Sequence, residues 1–256
     1  GVKISVGPPF FNQVNGPIFL AIILLTGICT IIGWRRASIR NLIRNSLWPL
    51  VVAIILAIAI FILGIREIYA LVTFLVCAFV LSAIFYEWVR GTRARHRMRA
   101  ENYLKAFLGL IMHNRPRYGG YIVHIAIILI AVGVIGSSFY EVEKDAILNP
   151  GESMTIKDYT LTYESLDFYE TQSKLVVAST LSIYNHGKFL GTLIPEKYFH
   201  RTYDQPVTEV AIRTTISEDL YVILVGWDEG GSATAFKVLV NPLVNWIWFG
   251  FTVLAL

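Results

Sequence analysis

Cysteine is nearly missing from this chain, and the two that occur, Cys29 and Cys77, each stand alone in an apolar run. Without a Cys-x-x-Cys or a second thiol or histidine at ligand spacing, there is no disulfide framework and no thiolate metal site, and both read as plain core residues. Charge is sparse as well, at 16% of residues, and acidic charge is almost confined to one stretch. Residues 140–240 hold eight Lys/Arg and fifteen Asp/Glu, which leaves fourteen basic and only three acidic side chains for the rest of the chain. A pI near 9.0 therefore reflects arginines gathered in short segments between spans, and no nucleic-acid partner is expected. The chain also lacks a serine, cysteine or paired-carboxylate constellation for hydrolysis and a phosphate-binding glycine loop. Nothing in it resembles the active site of a soluble enzyme.

What is abundant is apolar surface in long separate runs: 55% of residues are hydrophobic and the mean hydropathy is +0.58, values that mark a multi-pass membrane protein. Residues 1–16, with Gly7-Pro8-Pro9-Phe10-Phe11-Asn12 and Asn15-Gly16-Pro17, carry turn signals that argue against regular helix throughout. A first span is expected from Ile18 to Trp34, followed by Arg35, Arg36, Arg40 and Arg44 on a short amphipathic stretch at the interface. Trp48-Pro49 opens a second span ending at Gly64, and a third runs from about Tyr69 to Trp88. The segment Arg90–Arg117, with eight Lys/Arg and one Glu, is expected to lie along the membrane surface. By the positive-inside rule both Arg-rich segments (35–47 and 90–117) are cytoplasmic, so everything after the fourth span lies on the outer side.

The fourth span, Gly119–Phe139, holds one side chain that titrates near neutrality, His124. Counted from Gly119 it sits roughly 8 Å inside the hydrocarbon, where ionisable groups by default mark functional sites. Arg117, Gly120, His124, Ala131 and Ile135 fall in one narrow stripe, and the small residues beside the imidazole allow another helix or a flat macrocycle to come close. Spacing leaves four roles open: helix packing, a metal or haem ligand, a proton relay, or a quinone contact. Arg115 and Arg117 just outside the span suit lipid phosphates. Arg117, on the histidine's face, also suits the propionates of a haem whose iron is on His124.

From Tyr140 to Val240 the pattern changes to short Val, Ile, Thr and Tyr-rich runs separated by Asn149-Pro150-Gly151, Asn185-His186-Gly187 and Glu229-Gly230-Gly231. Alternation in Leu175, Val177, Ser179, Leu181, Ile183 predicts a strand, and Asn185-His186-Gly187 a three-residue hairpin loop with Gly left-handed. About a hundred such residues make a small β-barrel or sandwich. The expected architecture is an α-helical multi-pass membrane protein with an inserted extracytoplasmic all-β domain: residues 1–139 four transmembrane helices, 140–240 the β domain, 241–256 the start of a final helix. His96 and His113 read as solvated or lipid-facing, His186 as a hairpin residue and His200 as a loop residue, none at metal-ligand spacing. Gly1 is not an initiator Met and the last apolar run, from Leu243, is short for a span, so the sequence reads as a piece of a longer protein.

Gly7–Asn12, Asn114-Arg115-Pro116-Arg117-Tyr118-Gly119-Gly120-Tyr121-Ile122-Val123-His124, Asn149-Pro150-Gly151-Glu152-Ser153, Pro195-Glu196-Lys197, Asp219-Leu220-Tyr221-Val222 and Asn241–Trp248 resemble, in this order, the C-terminal half of CcmF, the haem lyase component of System I cytochrome c maturation. The resemblance covers essentially the whole chain. It implies a protein of the cytoplasmic (inner) membrane that takes haem from the chaperone CcmE and works with CcmH-type thiol proteins. Together they attach that haem to apocytochrome c on the outer side. It also implies an intramembrane haem b, reduced by quinol, with His124 as one axial ligand. The tryptophan-rich haem-handling segment and the second intramembrane histidine belong to the upstream half of the family, so this piece alone is expected to be inactive. A contact of Arg117 with haem is read from the residues and is not a family property. Two other classes fit the composition: a permease or proton-relay subunit using His124, and a membrane-anchored module that displays the β domain.

Overall fold

The computed structural model describes residues 7–32, 39–201, 205–228, 230 and 233–255. The chain divides into a helical unit, which runs to Ile135 and resumes at Trp246, and a β unit, Gly136–Asn245. In chain order the helices are α1 (Pro8–Ile31), α2 (Ile39–Ile62), α3 (Ile68–Arg99), α4 (Tyr103–His113), α5 (Arg115–Tyr140) and α6 (Val244–Ala255). Of these α1, α2, α3 and α5 are long and apolar enough to cross a membrane.

The helices begin earlier, and α3 ends later, than proline and arginine positions suggest. Residues 8–16, expected as turns, are helical: Pro8 and Pro9 occupy the first turn of α1, where the missing N–H has no intrahelical acceptor to lose, and Pro17 lies inside the helix. In the same way α2 starts at Ile39 and carries Pro49 within it, so the amphipathic stretch is the first turns of the span itself. The expected end of the first span at Trp34, with Arg35 and Arg36, lies outside the described residues. α3 continues through Arg90 to Arg99 before Ala100 turns left-handed at φ 51°. Only α4 is therefore a separate short helix in the expected surface segment; its Leu104, Leu108 and Met112 are exposed. Gly64, at φ +103°, stops α2: the Ile65 N–H donates to the Ile60 carbonyl at 3.3 Å and the Gly64 N–H to Phe61 at 3.1 Å. This left-handed termination costs glycine no Cβ clash.

α3 is the hub of the helical unit, since 56% of its most apolar window is buried, against 22% for α1, 11% for α2 and 22% for α5. Its Cys77, Val80, Ala83 and Ile84 pack with Ile23 of α1, Ala53 of α2 and Tyr121 of α5. Cys77 is a buried core residue, whereas Cys29 is exposed on α1.

The β unit is two antiparallel sheets. One has the order β1-β10-β9-β8, from Val142–Leu148, Thr234–Pro242, Glu218–Trp227 and Ala211–Thr214. The other has the order β2-β3-β4-β6-β7, from Ser153–Ile156, Tyr159–Glu170, Lys174–Asn185, Glu196–His200 and Val207–Glu209, with β5 (Lys188–Leu193) also paired to β4. Alternate residues of both sheets meet in one core that includes Leu161, Leu181, Leu220 and Val238. Tyr163 and Phe236 meet edge to face at 5.3 Å across it, and the Tyr163 hydroxyl accepts a bond from Thr234 Oγ1 at 2.9 Å. Alternation along β4 holds for Val177, Ser179, Leu181 and Ile183, but Leu175 is exposed and Val176, Ala178 and Ser182 are buried too.

Two turns show why their residues are where they are. At Asn149-Pro150-Gly151 the Glu152 N–H donates to the Asn149 carbonyl at 2.9 Å and Gly151 has φ +87°; proline at the second position and a left-handed glycine at the third make a type II turn. The hairpin between β4 and β5 is tighter than expected: Asn185 pairs with Lys188, so the loop is His186-Gly187, with φ +46° and +79°. Two positive-φ residues match the twist of the strands they join, and histidine is among the side chains enriched there. In the turn Glu229-Gly230-Gly231 only Gly230 lies among the described residues.

Candidate cofactor-binding site

The site starts at the beginning of α5. The segment expected as a basic loop is already helical from Arg115, with Pro116 in the first turn. Arg117, Tyr121 and His124 follow at intervals of four and three and so share one face. Arg117 and His124 lie about 10 Å apart along the axis.

Arg117 is held on both sides. Its Nε donates to the Tyr121 hydroxyl and its Nη2 to Glu87 Oε2 of α3, each at 2.9 Å. The other Glu87 oxygen accepts from Arg90 Nη1 at 3.2 Å. The Glu87 side chain is 10% exposed, so a nearly buried carboxylate sits between two guanidiniums. Its partners offset the cost of burying that charge. The Tyr118 and Tyr121 rings, both buried, meet edge to face at 5.5 Å and close off this end of α5. Glu87 is the residue that sequence reasoning missed. The signal was there: it is the sole carboxylate in the apolar run from Tyr69 to Trp88.

His124 is half-buried, and its Nδ1 is buried with no hydrogen-bond partner. One turn before it on the same face, a Cβ added at Gly120 would meet nothing within 4 Å. A histidine with an unpaired ring nitrogen, one turn from a glycine with room beside it, is chemically suited to ligate a metal. Among the described residues no group of three His, Cys, Asp or Glu is placed to hold a metal ion. The other histidines lie elsewhere. His96 is half-buried, with Nδ1 2.5 Å from the Glu101 carbonyl and its ring stacked 4.1 Å from Tyr103. His113 ends α4. His186 lies in the hairpin 3.8 Å from Asp158, and His200 closes strand β6, where a loop was expected.

Residues 139–242 match the family model described as the CcmF C-terminal beta-sandwich. The cytochrome c-type biogenesis protein CcmF of Pseudomonas fluorescens is 32% identical over 98% of this chain and 36% of its own length. The CcmF of Escherichia coli K12 is 28% identical over 99% of this chain and 37% of its own length. The chain belongs to the CcmF family. It corresponds to the C-terminal region, spanning little more than a third of the curated relatives it matches. A solved structure titled Cytochrome c Heme Lyase CcmF shares the fold, with a TM-score of 0.78 and 23% identity over 97% of this chain and 39% of that one. The family model covers most of the β unit and only the last two residues of α5. The link between CcmF and the helices carrying His124 and Glu87 therefore comes from the long matches to the relatives. As in CcmF, this is a multi-pass membrane protein with a β-sandwich.

Proposed function

We propose that this chain is the C-terminal part of a cytochrome c haem lyase and that α5 holds a b-type haem through His124. One observation carries the reading: the single histidine of α5 has an unpartnered buried Nδ1 and stands one turn after Gly120, where an added Cβ would meet nothing within 4 Å. The relatives' role in cytochrome c biogenesis supports it. His124 would hold the haem iron through a ring nitrogen, with a further ligand supplied by the part of the family protein outside this chain. Arg117 is assigned to the propionates; Glu87 and Tyr121 fix the plane of its guanidinium and leave other N–H donors free. When bound, haem supplies one-electron chemistry at a potential set by its axial ligands and burial. The chain's own work is to orient the imidazole, exclude water around it and hold a cation at the membrane edge.

The same reading assigns quinol as reductant and apocytochrome c, the haem chaperone CcmE and a CcmH-type thiol protein as partners on the outer face, where the acidic β unit would dock them. The test is the absorbance spectrum of the full-length protein. A b-type spectrum is expected, lost in His124→Ala and retained with weaker haem in Arg117→Gln. Haem bound unchanged in His124→Ala overturns the assignment.

A further inference from the structure

Between α1, α2, α3 and α5 lies a recess of about 450 Å³ that the reading above does not use. Its polar wall is Asn41, Arg44 and Asn45 of α2, Glu87 and Arg90 of α3, and Arg117 of α5. Its apolar wall is made by Ile31, Ile32, Ile39 and Leu42. Three guanidiniums face one carboxylate, an excess of two positive charges. Glu87 occupies one nitrogen of Arg90 and one of Arg117, and Arg44 makes no ion pair among the described residues. Among the described residues Glu87 is the only carboxylate lining the recess.

Depth narrows the choice of ligand. α1 ends at Ile31, α2 begins at Ile39 and α5 at Arg115, while α3 passes from its apolar run into arginines at Arg90. The recess therefore sits where hydrocarbon-crossing segments give way to charged ones, the level of lipid phosphates. Guanidinium forks match phosphate oxygens, asparagine amides suit glycerol hydroxyls, and the isoleucines and Leu42 offer a surface for the start of acyl chains.

We propose that this recess binds the phosphate of an anionic lipid, with Arg44 and Arg90 as the principal contacts and Arg117 held to one side by Glu87 and Tyr121. A soluble phosphate shares the headgroup chemistry but leaves the apolar wall unused.

Native mass spectrometry of the full-length protein in neutral detergent tests this, with phosphatidylglycerol, phosphatidylcholine and inorganic phosphate as probes. Phosphatidylglycerol is expected to be retained about tenfold over phosphatidylcholine. Arg44→Gln/Arg90→Gln should abolish that preference, and Arg44→Lys/Arg90→Lys should weaken it while keeping the charge and fold. Arg93→Gln/Arg97→Gln, which removes the same charge from exposed positions outside the recess, should leave it intact. The site is overturned if the first double variant keeps the preference or the control loses it equally. Displacement of phosphatidylglycerol by equimolar inorganic phosphate overturns the lipid as occupant in favour of a soluble phosphate. Haem content, read from absorbance in the same samples, reports on His124 separately.

Discussion

Glu87 joins α3 to the start of α5, so its removal exposes how much that join contributes. Glu87→Ala leaves two guanidiniums facing each other without a counter-charge. Breaking a buried pair costs about 3–5 kcal/mol, but Arg117 is 40% exposed and solvent screening reduces this to about 1–2 kcal/mol. The expected outcome is a lower thermal midpoint in detergent, partly restored by Glu87→Asp; an unchanged midpoint in Glu87→Ala refutes the role. Asp219 in β9 is a second buried carboxylate, 3% exposed. Burial raises its pKa above the ordinary carboxylate range, against hydrogen bonds from Thr215 and Thr214 that lower it. Because the folded form holds its proton to higher pH than the unfolded chain does, the contribution of this group to stability is fully present below the unfolded pKa and is lost as pH rises through the raised value. Its Oδ1 and the Oδ1 of Asn241, its partner in register on β10, both lack hydrogen bonds. Asp219→Asn supplies an N–H donor and removes the charge, so slower hydrogen exchange of β9 and β10 is expected at pH 7, by about 1 kcal/mol, with the difference shrinking in acid. Both carboxylates stand plainly in the sequence, but neither role was legible there, because each depends on a residue far along the chain: Arg117 for Glu87, Asn241 for Asp219.

At the scale of elements, turn chemistry was legible in kind and helix limits were not. Asn149-Pro150-Gly151 forms the turn its residues favour, whereas the His186-Gly187 loop is one residue shorter than the alternation suggested, since strand pairing continues to Asn185 and Lys188. Gly187→Ala places a Cβ at φ +79° and should cost about 1 kcal/mol, while His186→Asn should be neutral or stabilising; the melting of the β unit by circular dichroism measures both. Prolines misled because their position in an element matters more than their presence: Pro8, Pro9 and Pro116 start helices, and Pro17 and Pro49 sit inside apolar ones. Close helix contact is a further structural finding. A Cβ on Gly250 of α6 would stand 2.7 Å from Ile130 Cγ1 and 2.8 Å from the Ala126 carbonyl. Gly250→Leu must push α6 away from the helix that carries His124, an overpacking cost of about 1–3 kcal/mol that a detergent melt should register and Gly16→Leu, in open space, should not.

For the whole molecule, arginine-rich segments against an acidic β unit predict one orientation in the membrane. In a variant lacking Cys29 and Cys77, a cysteine at Lys188 should react with an impermeant thiol reagent from the outer side, and one at Arg93 only after the inner side is opened. The reverse pattern would invert the orientation. The sequence by itself determined the number of apolar spans, the change to β structure after Tyr140, and the singular position of His124, because these follow from local hydropathy and strand periodicity. Only the tertiary structure decided that α3 is the hub, that Glu87 ties Arg117 down, and that three arginines from three helices surround one recess. Those outcomes depend on which faces the helices turn toward one another, a matter of side-chain packing between residues distant in sequence, which no local pattern encodes.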